Sequence, residues 1–181
     1  MSSITLITGE ASSGKSTVSK LVATHFPQCF VIPVDDIREM LLSGYAVPAV
    51  DEPFPPAIIE QFRWARLAAI KMAEIYVESG IPVIIDDVCV PPMFVEHYQG
   101  LLAKKNHQIV LLKPTRQAMI ERIRERAGPV DQLLESFIPL VYDSLELMPK
   151  GGWTVLDSSE WSIEDTVEQV LLAMQNHDSS T

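Results

Sequence analysis

The sequence predicts an α/β fold: one domain in which five parallel strands are covered by helices on both faces. Three observations carry this. Short, continuous apolar runs alternate with stretches of helical periodicity along the 181 residues. The first run, 4–8, leads into Gly9-Glu10-Ala11-Ser12-Ser13-Gly14-Lys15-Ser16, a complete G-x-x-x-x-G-K-[ST] sequence followed by a helical pattern. The length fits one core and leaves little for a second domain.

The elements follow in order. Strand 4–8 is apolar and β-branched, and helix 15–25 carries Val18, Leu21 and Val22 at helical spacing. A second strand spans 29–34 and ends at Asp35-Asp36, before a short helix over 37–43. Residues 44–56 form a proline-rich loop. Helix 57–79 places Ile58, Phe62, Ala65, Ala69, Met72, Ala73 and Tyr76 near one face, and Gly80 stops it. The third strand, 82–85, is apolar throughout, as a strand buried on both faces should be, and ends in Asp86-Asp87. Pro91 begins a helix running to about 104. A fourth strand spans 108–112. Thr115 caps a helix that Gly128-Pro129 stops, and 131–147 is helical with a kink at Pro139. After a last strand at 153–156, Ser162 caps an amphipathic helix through Val167, Val170, Leu171 and Met174. The packed domain is expected over 1–176, with 177–181 a frayed tail.

Composition narrows the function. The net charge of −10 opposes a polyphosphate backbone, and no basic stripe offsets it, so no nucleic-acid partner is expected. No apolar run reaches membrane-spanning length, and no signal-peptide pattern opens the chain. The two cysteines, Cys29 and Cys89, read as buried free thiols, which places the protein in the cytoplasm. His25, His97, His107 and His177 show no metal spacing. Nothing in the sequence sets the oligomeric state.

The glycine motif is the centre of the chemistry. Gly9 and Gly14 allow positive φ, so that the backbone N–H groups of Ala11, Ser12, Ser13, Gly14, Lys15, Ser16 and Thr17 converge on phosphate at a helix N-terminus. Lys15, read as an exposed loop residue, reaches the β- and γ-phosphates of ATP, and Ser16 ligates Mg²⁺. Asp86, at the carboxyl end of the third strand, holds the same Mg²⁺ through its water shell, while Asp87 points the other way. Asp35 is the expected general base for an acceptor hydroxyl, with Asp36 as helix cap. Arg38 binds an anionic group of the substrate or pairs with an acid. Arg116, Arg122, Arg124 and Arg126 fall on one helix, and Arg122 and Arg126 share a face. These two are expected to stabilise charge during phosphoryl transfer; the other reading is a solvated face paired with Glu121 and Glu125. Tyr45, Phe54, Phe62 and Trp64 are candidate walls of an acceptor pocket.

Together these residues resemble the P-loop kinases of small molecules, and among them the chloramphenicol phosphotransferase-like group. The N-terminal glycine loop carries the likeness, as do Val34-Asp35 at the end of strand two and Ile84-Ile85-Asp86-Asp87-Val88. So do the R-x-x-x-R spacing of Arg122 and Arg126 and the segment Leu156-Asp157-Ser158-Ser159. The resemblance implies a nucleoside-monophosphate-kinase-like domain with sheet order 2-3-1-4-5, an ATP:hydroxyl phosphotransferase activity with a small hydroxylated substrate, and a loop at Ser158 that passes near the adenine. The chain departs from that group at Pro129, where a further lid arginine is expected, and through 44–56, where an acceptor sits. Asp35-Asp36-Ile37-Arg38 also resembles a motif of nucleoside and polynucleotide 5′-kinases. A non-catalytic nucleotide-binding module is the third reading; no N-K-x-D signature of a GTPase is present.

Overall fold

The computed structural model of the chain describes residues 3–49, 52, 54–88, 95–103, 107–126, 128, 131–146 and 152–179. Five strands form one parallel sheet: β1 (Ile4–Gly9), β2 (Phe30–Pro33), β3 (Val83–Asp87), β4 (His107–Leu112) and β5 (Trp153–Leu156). Their spatial order is β2-β3-β1-β4-β5, as the resemblance implies. The helices are α1 (Lys15–Ala23), α2 (Val34–Glu39), α3 (Pro56–Glu78), α4 (Gln99–Leu102), α5 (Arg116–Arg126), α6 (Asp131–Glu146) and α7 (Ile163–Ser179), and a 3₁₀ turn over Val95–Tyr98 precedes α4.

The continuous apolar strands are explained by a core on each face. Leu6 of β1 pairs in register with Ile85 and with Ile109. Leu6 and Ile85 pack on one side with Ala65, Ala69 and Tyr98. The intervening residues Ile7, Ile84 and Val110 face the opposite side, against Val18 and Val22 of α1 and Val170 of α7. Alternate side chains therefore serve two cores, which is why these strands are largely apolar on both faces. Burial also pushes the half-buried thiol of Cys29 up to about 11. Cys89 lies outside the described residues.

Local signals hold at several boundaries. Ser162 and Asp165 form a reciprocal capping box at the start of α7: the Asp165 N–H donates to Ser162 Oγ at 3.0 Å, and the Ser162 N–H donates to Asp165 Oδ2 at 3.2 Å. Thr115 Oγ1 accepts from the Ala118 N–H at 3.3 Å at the start of α5. Pro139 lies inside α6, and α7 continues as helix past Asn176 to Ser179. Of the helix expected over 91–104, the 3₁₀ turn and α4 are described, and 91–94 and 104 lie outside the described residues.

One boundary departs from expectation with consequences for the site. Helix α2 begins at Val34, directly after β2, so Asp35 and Asp36 are not the end of the strand. Pro33 occupies the N-cap in extended geometry, φ −75° and ψ 115°, and no side chain caps the helix. The role expected of Asp36 as cap is therefore corrected. Both acids lie inside the first turn, where the positive end of the peptide dipoles favours them.

Candidate active site

The phosphate loop joins β1 to α1 at the carboxyl edge of the sheet. Its backbone is left-handed at Ser12, φ 64°, and at Gly14, φ 91°. Gly14 is the N-cap of α1 and makes no side-chain cap hydrogen bond. A helix N-terminus of this kind can take an anion on its backbone N–H groups. The turn is closed by the Ser13 N–H donating to Glu10 O at 3.0 Å. Gly9 is required for a different reason. A Cβ at this position falls 2.6 Å from Leu112 O and 2.5 Å from Ser13 Oγ, so only glycine lets the loop lie against the end of β4. Lys15 is 8% exposed, more enclosed than a loop lysine, because the loop folds around it.

Two acids end β3 and face opposite ways. Asp86 pairs in register with Ile7 of β1, immediately below the loop. Burial raises the Asp86 carboxyl above the ordinary carboxylate range, while the Lys15 charge and a hydrogen bond with Ser16 act in the lowering direction. Its Oδ1 is buried without a hydrogen-bond partner. Next to the Ser16 hydroxyl, that oxygen fits a Mg²⁺ site of oxygen donors. Among the described residues no cluster of three His, Cys, Asp or Glu could hold a metal by itself, so ligand and water oxygens would complete the shell.

Asp87 points to the other face and meets Arg66 of α3. Arg66 Nε donates to Asp87 Oδ2 at 2.5 Å and Nη2 to Oδ1 at 3.1 Å; Nη2 also reaches Val88 O at 3.0 Å. The Tyr98 hydroxyl donates to Asp87 Oδ2 at 2.9 Å. Both charged side chains are 0% exposed. This fork-to-fork pair fixes the end of β3 while Asp86 stays available above it. The sequence signal was present and passed over: Arg66 interrupts the apolar face of α3 between Phe62 and Ala69.

Asp35 lies across from the loop on α2. Burial raises its carboxyl most, Lys15 and Arg38 act in the lowering direction, and Asp87 and Asp86 in the raising direction. Those same charges show that loop, β3 and α2 converge. A cleft of about 660 Å³ lies between them, with Lys15, Ser16 and Asp35 in its lining. Arg126 of α5 and Phe137 of α6 close the opposite wall. Three of the four expected aromatic walls, Tyr45, Phe54 and Phe62, line it as well. Trp64 does not. It is half exposed and lines a separate shallow groove with Met40 and Leu41, because it projects from α3 away from the sheet edge.

Arg38, in the lining of this cleft, is held by two rings and two hydrogen bonds. Its guanidinium lies 4.2 Å from the ring centre of Tyr45 and 4.6 Å from that of Phe62. It donates to Ala46 O at 2.9 Å and to the Tyr45 hydroxyl. These hydrogen-bond partners are a carbonyl and a hydroxyl, while Asp35 is a carboxylate on which the Arg38 charge acts. Gln61 secures the same loop: its Nε2 donates to Gly44 O at 2.8 Å, and its Oε1 accepts from the Ala46 N–H at 3.0 Å.

The arginines of α5 separate into three groups. Arg116 and Arg124 form ion pairs with Asp143 and Glu135 of α6, not with Glu121 or Glu125. Arg126 lines the cleft. Arg122, on the same face, donates to Ser158 O at 2.7 Å and lies outside the cleft lining. The loop carrying Ser158 is further fixed by the Thr115 N–H donating to Ser159 Oγ at 2.7 Å and the Ser159 N–H to Asp157 Oδ1 at 3.0 Å.

Among solved structures, this chain resembles a shikimate kinase from Bacteroides thetaiotaomicron, with 19% identity, 96% of this chain and 98% of that one covered, and a TM-score of 0.63. It resembles a sugar kinase from Janibacter sp. HTCC2649 at 17% identity, 95% and 94% coverage and a TM-score of 0.67. A gluconokinase from Sinorhizobium meliloti 1021 aligns at 19% identity, 97% and 92% coverage and a TM-score of 0.60. At these identities the likeness is one of fold, a P-loop α/β domain shared with small-molecule kinases. No helix among the described residues is long and apolar enough to cross a membrane. No curated protein matches the chain. The AAA_33 family, described as an AAA domain, matches residues 4–136, which run from β1 into α6 and hold the glycine loop, both strand-end acids and the arginine helix; the chain belongs to that family.

Proposed function

We propose that this protein is a Mg·ATP-dependent phosphotransferase that moves the γ-phosphoryl group of ATP to a hydroxyl of a small molecule. One observation carries the reading: Lys15 and Ser16, Asp35, and Arg126, from three separate parts of the sequence, meet in one cleft with room for an acceptor. The fold shared with small-molecule kinases supports it.

The loop N–H groups and Lys15 hold the phosphates. Asp35 accepts the proton of the acceptor hydroxyl as its oxygen bonds to the γ-phosphorus and the bond to the β-phosphate oxygen breaks, releasing ADP. The raised carboxyl of Asp35 makes it a stronger base than an exposed aspartate. Arg126 faces the transferring group and stabilises its charge. Ser16 and Asp86 would hold Mg²⁺, which would supply positive charge against that of the phosphates. Arg122 holds the Ser158 carbonyl and so ties the arginine helix to the loop expected beside the adenine.

The chloramphenicol phosphotransferase-like reading is kept for the reaction class. The guanidinium of Arg38, stacked on two rings and hydrogen-bonded to the Ala46 carbonyl and the Tyr45 hydroxyl in the cleft lining, favours an acceptor that carries an anionic group. That also favours the 5′-kinase alternative over a non-catalytic module. The test is ADP release from Mg·ATP with a panel of hydroxylated acids, sugars, phosphorylated sugars, nucleotides and antibiotics. Stimulation by at least one acceptor, abolished in Asp35→Asn, is expected. Tight ATP binding with no stimulated turnover by any acceptor supports the binding module instead.

A further inference from the structure

Glu10, the first variable residue of the glycine motif, has no place in the scheme above. It nonetheless lines the cleft beside the phosphate loop. The side chain is 5% exposed, Glu10 lines the cleft beside Ala11 and Lys15, and its Oε2 is buried without a hydrogen-bond partner. It accepts a hydrogen bond from the Ala11 backbone N–H, and it lies within electrostatic reach of the Lys15 ammonium. Phosphates held by the same lysine would bring negative charge into the neighbourhood of Glu10.

We propose that Glu10 is a neutral acid in the nucleotide-bound protein, and that binding of the triphosphate is coupled to uptake of one proton by this side chain. The inference rests on the kinase reading, because it needs a polyanion in the loop. Two like charges in a water-poor pocket repel strongly, and a carboxyl can remove its own charge by protonation where a phosphate in this site cannot. The protein is already disposed this way, since burial raises the Glu10 carboxyl to about 7 against the opposing pull of the Ala11 N–H and Lys15. The other charged groups lining the cleft are Asp35, Arg38 and Glu39 of α2, Arg66 of α3 and Arg126 of α5. Of all these, Lys15 is the one whose charge acts on Glu10. Arriving phosphate charge adds to the raising direction.

The consequence has a definite sign. Below neutrality Glu10 is already protonated, and ATP binds without proton uptake there. Above it, each bound triphosphate must protonate Glu10, so affinity falls as pH rises, approaching about tenfold weaker at pH 8. The experiment is isothermal calorimetry of Mg·ATP binding, without acceptor, from pH 6 to 8.5, in buffers of different ionisation enthalpy. Wild type is compared with Glu10→Gln, which keeps the shape of the neutral acid, and with Glu10→Ala. The expected result is close to one proton taken up by wild type at pH 8 and none by either variant. Glu10→Gln should match wild type near pH 6 and bind about tenfold tighter at pH 8. Parallel pH curves, or equal proton uptake in wild type and variants, overturn the proposal and leave the kinase reading standing. Should neither variant fold, wild type alone decides: ATP phosphates are fully ionised at pH 8, so absence of proton uptake there overturns it. Failure of wild type to bind Mg·ATP at any pH overturns both readings.

Discussion

Replacing Arg66 by methionine tests what holds the end of β3 beneath the proposed metal ligand. Methionine retains an apolar stem and removes the charge, the donors and the guanidinium's contact with Phe62, whose ring centre is 4.9 Å from the guanidinium carbon. Asp87 then keeps the Tyr98 hydroxyl and loses both arginine bonds at 0% exposure. Breaking one side of such a buried pair costs about 3–5 kcal/mol, a large share of a typical domain's stability. Urea unfolding at pH 7 should show this loss as a lower midpoint with an unchanged slope. The companion variant Arg66→Met with Asp87→Asn carries no orphaned charge. It should recover at least about 1–2 kcal/mol relative to Arg66→Met alone, because a neutral amide is far less costly to bury than a carboxylate. A loss below about 1 kcal/mol for Arg66→Met, or a double variant no more stable than the single one, would refute the claim that the pair fixes this edge.

Four further outcomes are expected. Asp35→Asn should retain ATP affinity and lose about 10²–10⁴ in acceptor-stimulated transfer, whereas Asp36→Asn should be mild, since Asp36 is exposed and caps nothing; ADP release with and without acceptor decides. Arg126→Ala should lower kcat more than it raises KM for ATP, and Arg122→Ala should do the reverse by loosening the Ser158 loop; steady-state kinetics over both substrates separates them. Gly9→Ala should destabilise the fold by at least about 1 kcal/mol, because the new methyl group meets the backbone of β4; thermal unfolding measures it. In the nucleotide-free protein, Glu10 binds its proton more tightly folded than unfolded, so its contribution is full below pH 4.5 and is lost as pH rises to about 7. The difference between wild type and Glu10→Gln should shift by about 3 kcal/mol across that window, and pH-dependent urea titrations should show it.

What the sequence revealed follows from how local each signal is. The glycine loop, the acids that end β3 and the capping serine of α7 are encoded in contiguous residues, and each lies where its pattern points. The start of α2 was misjudged because Asp35-Asp36 carries a strong capping signal, whereas Pro33 ends the strand and opens the helix without any side-chain cap. The Arg66–Asp87 pair joins residues 21 apart through tertiary packing, so neither residue announces the other. The separate duties of Arg122 and Arg126 were equally hidden, since one helix face meets a loop carbonyl at one turn and a cleft at the next. Glu10 occupies a position at which the motif permits any residue, and only the folded loop reveals that its carboxyl is enclosed.

The attachment of the segment at Gly44 and Ala46 bears on how such a protein could change its substrate. Two side chains secure it, Gln61 from α3 and Arg38 from α2, through backbone atoms of the loop and one tyrosine hydroxyl. Main-chain carbonyls and amides are present in any sequence, so these anchors survive wide variation in the residues they grip. A lineage could therefore exchange the wall proposed for the acceptor and keep the residues proposed for phosphoryl transfer. Modularity of this kind makes the loop from Gly44 onward the natural place to graft a new specificity.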